Sequence, residues 1–155
     1  MMGVITMNDL KNSRLVRNEH LNHHGTLYAG RLSEWFVESC FICAARSTGK
    51  PERLVCREIL DLTVTRPTKG GVMIEFSSRV ARAGKTSLIV FCAVADMDGR
   101  SIAEGFISFV SLDENGKPSP HMISLDDTVD YEELAIRSEA ENLFKSRLGK
   151  RIISS

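Results

Sequence analysis

Hydrophobic and polar positions divide the chain into a helical segment and a series of strands. Residues 30–46 contain no proline and no internal glycine, and their apolar positions recur at helical spacing. The face predicted from this spacing consists of Leu32, Phe36, Ser39, Cys40 and Cys43. Trp35, Phe41 and Ile42 widen the apolar surface almost all round, so we expect the helix to be enclosed by other elements.

The pattern changes to strands after Gly49 and Pro51, which end the helix. Strands are predicted over residues 54–66, 72–82, 87–97 and 101–112. The second strand alternates between apolar and polar residues, which is typical of a sheet with two different faces. The third has little alternation, so we expect it to be covered on both faces. Asp98-Gly99 predicts a tight hairpin between the last two strands.

Weaker patterns flank these elements. Residues 126–149 predict a charged, peripheral helix with Tyr131, Leu134 and Ala135 as its apolar contacts, and residues 13–22 give a weak strand pattern. A buried helix followed by a long antiparallel meander is an α+β layout in which the sheet wraps around the helix. Since no linker-like stretch divides the chain, we expect one domain over residues 1–155.

Composition narrows the classes of partner. The chain has 155 residues, with 20 Lys+Arg and 20 Asp+Glu, so it has no overall field that would attract nucleic acid or an anionic membrane. The N-terminal residues lack the apolar core of a signal peptide, and no stretch approaches the roughly 18 apolar residues that span a bilayer. We therefore expect a soluble, cytoplasmic protein with no nucleic-acid or membrane partner. An anionic ligand would have to be held by local charge.

The four cysteines are expected to be reduced in that compartment. Cys40 and Cys43 form a C-x-x-C pair, but this pair lies inside an apolar helix and has no second pair of ligands. We therefore predict no metal site. Three of the four cysteines (Cys40, Cys43, Cys56 and Cys92) lie in apolar surroundings and are expected to be small core residues.

Four short blocks, in order, carry a resemblance to a known family. They are Asn22-His23-His24-Gly25-Thr26-Leu27-Tyr28-Ala29-Gly30, then Arg66-Pro67, then Gly84-Lys85-Thr86-Ser87, then Ala103-Glu104-Gly105-Phe106-Ile107-Ser108-Phe109-Val110. In this order they resemble the acyl-CoA thioesterases, or acyl-CoA hydrolases, of the hot-dog fold. The resemblance implies hydrolysis of an acyl-CoA to free acid and coenzyme A, with coenzyme A as part of the substrate and no separate cofactor. It also implies a homodimer, often assembled further into a hexamer built as a trimer of dimers, with active sites at the subunit interface.

The resemblance implies a catalytic pair made of an Asn before the helix and an Asp inside it, which meet across the subunit interface. Asn22 matches the Asn, whereas the position of the Asp is occupied by Val37. Glu38 follows directly and is our candidate for the missing carboxylate, although one residue along a helix turns a side chain by about 100°. The alternative is that Arg31, Glu34 and Glu38 form a polar stripe with an i,i+3 ion pair.

Other features of the site also have two interpretations. The helix beginning near Gly30 offers unpaired N–H groups to a carbonyl oxygen, as every helix start does. Asn22 is equally suited to a turn or a helix cap. His23 and His24 could act as bases, but adjacent histidines in a polar loop usually face solvent. The isolated His20 and His121 are interpreted as structural.

A second candidate region would bind the nucleotide part of coenzyme A. The phosphates require cations and backbone N–H donors in a loop, and the residues that offer them are Arg82, Gly84, Lys85, Thr86 and Ser87. The resemblance makes this the nucleotide-side loop. The alternative is an ordinary hairpin turn with a solvated lysine.

Three functions compete. The first is an acyl-CoA thioesterase in which Glu38 replaces the usual Asp. The second is a non-catalytic acyl-CoA-binding protein, a sensor or carrier that keeps the fold without the chemistry. The third, a dehydratase of the same fold, lacks support because the sequence has no hydratase-type His/Glu motif.

Overall fold

A computed structural model describes residues 3–5 and 9–154. Within them the strands are β1 (Gly3–Ile5), β2 (Leu10–Leu15), β3 (Leu54–Val64), β4 (Met73–Ala83), β5 (Ser87–Asp96), β6 (Ser101–Ser111) and β7 (Ile123–Leu125). The helices are α1 (Ala29–Thr48) and α2 (Tyr131–Ser154), with 3-10 turns at Asn18–His20 and Pro51–Arg53. Five strands form an antiparallel sheet in the order β2-β4-β5-β6-β3, and β1 pairs with β7 in parallel.

The prediction of the four long strands is confirmed to within two residues at each end. The strand expected over residues 13–22 lies earlier, at Leu10–Leu15, and Asn18–His20 form a 3-10 turn. The register shows why β2 starts there, since each of its residues pairs with β4, from Leu10 opposite Ser78 to Leu15 opposite Met73. Because the partners of β2 lie 58 or more residues away in sequence, the local sequence of β2 shows only a weak strand pattern.

Helix α1 lies across the inner face of the sheet. Its buried residues are Leu32, Trp35, Phe36, Ser39, Cys40, Cys43 and Ala44. Together with the inward side chains of the strands they form the main core. Gly49 ends the helix in the left-handed conformation, at φ 71°, and its N–H donates to Ala45 O. The expected enclosure is absent in this single chain, because Ile42 is 40% exposed and Glu34 and Glu38 are also exposed.

Helix α2 covers the outer face of the sheet. A second apolar cluster lies between them, formed by Leu60, Ala81, Ile89, Phe91, Phe106 and Ala140, with Ile136, Leu143 and Phe144 packed against it. The prediction that β5 is covered on both faces is confirmed, since Val90 faces the main core and Ile89 faces α2. The predicted contacts of α2 are wrong: Tyr131 is 91% exposed, and Leu134 and Ala135 also face solvent.

A charged network explains that error. Glu133, only 1% exposed, accepts from Arg79 on β4 at 2.6 Å and from Arg137 at 3.0 Å, while Arg79 also donates to Asp9 at 2.6 Å. Burial lowers the pKa of Arg79, but its hydrogen bonds to Asp9 and Glu133 outweigh this and raise the pKa above its ordinary value. The buried face of α2 thus begins with a carboxylate, which a search for apolar spacing does not find.

Strands β3 and β6 approach each other closely at Gly105. A Cβ at this position would overlap the carbonyl oxygen of Asp61 and would lie 2.7 Å from its carbonyl carbon and 2.9 Å from Leu62 Cα. The register between these strands shifts at Cys56/Glu58 and again at Ile59/Asp61. Glycine at 105 therefore allows the backbone of β3 to pass next to β6 where β3 bulges.

Strand β3 forms an edge of the sheet, with β6 as its partner in the described chain. Its side chains include three half-exposed apolar residues, Val55 at 42%, Ile59 at 46% and Val64 at 48%. An edge strand of this length presents unpaired N–H and C=O groups. No helix among the described residues is long and apolar enough to cross a membrane.

Candidate active site

The loop that precedes α1 is organised by Asn22. Its Oδ1 accepts from the backbone N–H groups of His24 and Thr26 at 2.9 and 3.2 Å, and from Thr26 Oγ1 at 3.3 Å. Its own N–H donates to Thr26 O at 2.7 Å. This is the turn-stabilising role considered for Asn22. The side-chain Nδ2 has no partner among residues 3–5 and 9–154.

The start of α1 has free backbone donors. Tyr28 is the N-cap residue, no side chain caps the helix there, and Tyr28 O accepts from the N–H groups of Arg31 and Leu32. The amides of Ala29 and Gly30 are exposed and have no hydrogen-bond partner in the described part of the chain. The Tyr28 ring lies against Gly30, where an added Cβ would be 2.8 Å from Cζ. Two N–H groups at a helix start can stabilise a developing oxyanion.

Backbone bonds fix this loop against the rest of the fold. Leu27 N donates to Thr68 O at 2.7 Å, in the connection between β3 and β4, and Tyr28 N donates to His20 O at 2.9 Å. The His20 ring is edge-on to Trp35 at 4.8 Å, and its Nδ1 accepts from Arg17 N. His20 therefore holds the loop against Trp35 of α1. The ring centres of His23 and His24 lie 3.9 Å apart with the planes tilted by 42°, and both residues are exposed.

Glu38 is paired with strand β2. Its Oε1 lies 2.6 Å from Arg14 Nη2, and its side chain is 54% exposed. The Arg14 guanidinium lies 5.2 Å from the centre of the Trp35 ring, so Arg14 joins the two elements. Val37, one residue earlier, is half-buried and packs against the main core instead.

Arg31 and Glu34 form the i,i+3 ion pair that the polar-stripe interpretation predicts, at 3.7 Å. Glu38 departs from that interpretation because its partner is Arg14, 24 residues away in sequence. Two exposed carboxylates therefore lie on α1 with different partners. The assignment of Glu38 to catalysis stays a prediction.

The candidate nucleotide-side residues divide into two groups. Arg82 Nε donates to Glu141 at 2.7 Å, and its guanidinium lies 3.5 Å from the centre of the Phe144 ring. Arg82 therefore holds α2 against β4. Residues Gly84 to Ser87 form a turn closed by a bond from Gly84 N to Ser87 O at 2.9 Å. Lys85 in this turn is exposed and has no ion-pair partner among the described residues. A ligand role for Arg82 would require it to leave both partners.

Two cavities flank residues 120–123 beside this turn. One, of 320 Å³, is lined partly by Thr48, Lys50 and Arg53, and the other, of 350 Å³, by Gly84 and Lys85. Lys50 has no ion-pair partner within residues 9–154, whereas Arg53 lies 3.5 Å from Glu114. The described lining of both cavities contains cations and no carboxylate. This charge suits an anionic ligand.

Asn22 and the Gly84–Ser87 turn lie at opposite ends of the sheet in one chain. The Asn22 loop is bonded to the connection before β4, and the turn follows the other end of β4. Strand β4 has 11 residues, and at about 3.3 Å per residue it spans roughly 35 Å. The two candidate regions therefore do not meet within one chain.

The thiols behave as core residues, as predicted for three of them. Cys40, Cys43 and Cys92 are buried, Cys56 is exposed, and all four are free. Burial raises the pKa of Cys43 to about 12 and also raises that of Cys40. No group of three or more His, Cys, Asp or Glu among the described residues is placed to hold a metal ion.

One residue near the candidate turn was assigned only a general structural role by the sequence. His121 contacts the Gly84–Ser87 turn through its ring and its backbone. The contact joins residues 34 positions apart, and no local pattern indicates it.

No protein-family model matches the chain. A curated relative, an uncharacterized acyl-CoA thioester hydrolase, YkhA, from Bacillus subtilis, is 31% identical over 120 residues, covering 71% of this chain and 69% of the relative. Two solved structures are similar at 24% identity. An acyl-CoA hydrolase from Staphylococcus aureus has a TM-score of 0.83 and covers 98% of this chain and 92% of its own. One from Bacillus cereus has a TM-score of 0.84 and covers 98% and 94%.

A third solved structure, an apo-hexameric acyl-CoA thioesterase, is 21% identical with a TM-score of 0.80, and covers 97% of this chain and 98% of its own. These likenesses confirm the predicted α+β hot-dog fold, with its antiparallel sheet around a long helix. The resemblance indicated by the four sequence blocks is likewise confirmed.

Proposed function

Because this chain belongs to the acyl-CoA thioester hydrolases, we propose that it hydrolyses an acyl-CoA to a free acid and coenzyme A at the start of α1. One observation carries the proposal: the amides of Ala29 and Gly30, which have no partner among the described residues, lie next to the Asn22 loop at the uncapped start of α1. The S. aureus hydrolase, solved with butyryl coenzyme A and coenzyme A, supports the ligand class. Residues 1–155 act as one hot-dog unit.

The proposed reaction needs three groups. The amides of Ala29 and Gly30 stabilise the oxyanion that forms when water attacks the thioester carbonyl. Asn22 Nδ2 orients the water or the carbonyl oxygen, while Asn22 Oδ1 keeps the loop closed. A carboxylate takes the proton from water and returns it to the departing thiolate, so that one water is consumed for each acid and thiol released.

Glu38 of a second copy is the carboxylate that we assign to this step, because Glu38 lies about 12 Å along α1 from Gly30 in the same chain. Val37 follows Asn22 at the same spacing that separates the asparagine and the aspartate replaced by alanine in the S. aureus hydrolase, so the usual position holds no acid here. Glu38 is adjacent and half-exposed, and its chain is one methylene longer than that of Asp. For catalysis its carboxylate must exchange Arg14 for the attacking water.

Substitution of Glu38 by Gln tests this assignment, with Glu34→Gln as the matched control. Both residues are exposed acids on α1, and each lies in an ion pair. We expect Glu38→Gln to lower kcat by about 100-fold or more, as loss of a general base does, and Glu34→Gln to leave it within about twofold. The measurement is thiol release from short, long and aromatic acyl-CoAs.

The pattern of loss distinguishes the alternatives. A loss confined to Glu34→Gln would transfer the role to Glu34, which lies one turn before Val37 and is turned from it by only about 60°. Turnover equal to that of the wild type in both variants would exclude a carboxylate of α1 as the general base. Saturable binding of acyl-CoA without turnover in the wild type would establish the non-catalytic sensor or carrier instead.

A homodimer built through β3 would complete the site. If β3 of two copies pairs antiparallel about a twofold axis, the Asn22 end of one sheet and the Gly84–Ser87 end of the other lie along the same edge of the joined sheet. The half-exposed Val55, Ile59 and Val64 support an interface at this edge. The hexameric neighbour supports further assembly into a trimer of dimers. The four free cysteines support a cytoplasmic location.

Replacement of Ile59 by Lys tests this interface. A charge on the pairing edge should convert the dimer to single chains and lower activity in proportion, because each site would lose its second half. Light scattering gives the mass of the particle in solution. The reactivity of the Cys56 thiol should rise as well, because Cys56 lies on the same strand and would no longer be covered by the partner. Val129→Lys, at a residue 94% exposed outside the sheet, is the control. An unchanged mass for Ile59→Lys would place the interface elsewhere.

A further inference from the structure

His121 is bonded to the candidate nucleotide-side turn in two ways. Its ring Nε2 lies 2.9 Å from Ser87 O, and its backbone N–H donates to Lys85 O at 3.2 Å. Ser87 O is the same oxygen that accepts from Gly84 N and closes the turn. The His121 ring therefore reinforces the bond that defines the shape of the turn.

The second ring nitrogen fixes how His121 acts. Nδ1 accepts from Ile123 N at 3.0 Å, so it carries no proton, and the ring proton is on Nε2, which donates to Ser87 O. Both ring nitrogens are thus used inside the protein. His121 therefore has no free ring nitrogen for a ligand or for proton transfer.

The backbone next to His121 is held in an uncommon conformation. Met122 has φ 64°, the one positive φ at a non-glycine residue in the described chain. This bend directs Ile123 N–H back to His121 Nδ1, and β7 begins at Ile123. A conformation of this kind persists where its surroundings hold it. Here the holding contacts are those of His121.

We propose that His121 is a positioning residue that sets the shape of the Gly84–Ser87 turn for coenzyme A. The inference rests on the proposed function and adds a residue that touches no substrate. The cavities of 320 and 350 Å³ on either side of residues 120–123 both include His121 in their lining. Fixing the ring therefore fixes residues that line both cavities and the backbone of the turn at Ser87.

Three substitutions separate positioning from general stability. His121→Gln keeps an amide donor near the place of Nε2, whereas His121→Asn reaches only the place of Nδ1 and cannot bond Ser87 O. His121→Ala removes both. We measure Tm, kcat and KM for a short acyl-CoA, and the Kd of free coenzyme A by calorimetry, all well below the lowest Tm.

The expected result is a split between KM and kcat. The His121→Asn and His121→Ala variants should raise KM and the Kd of coenzyme A about five- to tenfold, because each loses one hydrogen bond in the binding loop. Their kcat should stay within about twofold of the wild type. Gln should restore both to within about twofold of the wild type. An equal rise for all three variants, following the fall in Tm, would overturn positioning in favour of a purely structural role.

Unchanged KM and Kd in every variant would also overturn the proposal, while leaving hydrolysis by the wild type in place. A wild type that neither hydrolyses acyl-CoA nor binds coenzyme A would overturn the proposed function and this inference with it. The two failures are therefore distinguishable from the same set of proteins.

Discussion

Gly105→Ala is expected to destabilise the fold by about 3 kcal/mol or more, because the new methyl group would overlap backbone rather than a movable side chain. Its neighbours would be the carbonyl group of Asp61 and Leu62 Cα. To make room, β3 must move away from β6, and the movement would weaken the ladder that holds the edge strand. Urea denaturation followed by circular dichroism gives the free energy of unfolding.

Gly149→Ala is the matched control, since no heavy atom lies within 4 Å of a Cβ at that position of α2. Alanine is favoured over glycine inside a helix, so this variant should be neutral or more stable by about 0.5–1 kcal/mol. Equal free energies for Gly105→Ala and the wild type would show that β3 and β6 have room to separate at little cost.

Removal of the Glu133 carboxylate is expected to be as damaging. Glu133→Ala should lower the free energy of unfolding by about 3–5 kcal/mol, because it leaves Arg79 of β4 and Arg137 of α2 without their shared partner. Asp9 would still neutralise Arg79, so the loss should be concentrated at α2. Limited proteolysis should cut α2 before the sheet, and denaturation gives the total effect.

Glu139→Ala on the exposed side of α2 provides the comparison for Glu133→Ala. It removes the same charge from the same helix and should change stability by no more than about 0.5 kcal/mol. Equal effects of the two substitutions would show that net charge, rather than the buried network, determines how α2 is held.

The sequence was most informative where a local pattern reports a local environment. Strand β4 could be predicted because Ile74, Phe76 and Val80 alternate with polar residues, and all three are buried. Strand β5 could be assigned to the middle of the sheet because it lacks alternation. The buried face of α2 could not be predicted, because it begins with Glu133, whose partner Arg79 lies 54 residues away in sequence.

The candidate site shows the same division. The Asn22 loop could be recognised because its bonds to His24 and Thr26 are local, and the start of α1 follows directly. The pairing of Glu38 with Arg14 could not be predicted, since β2 and α1 meet only in the folded chain. The bond from His121 to Ser87 is equally remote in sequence. Spacing cannot report such contacts, because side chains distant in sequence are brought together by the sheet.

The distance between Asn22 and the Gly84–Ser87 turn also determines how this protein would respond to dilution. In the site proposed above, a single folded chain holds two halves of the site and no complete one. Activity per molecule would then decline as the concentration falls below the dissociation constant of the pair, while spectra of folding stay unchanged. A low concentration alone, without unfolding or an inhibitor, would keep the protein inactive until enough copies were present to form the pair.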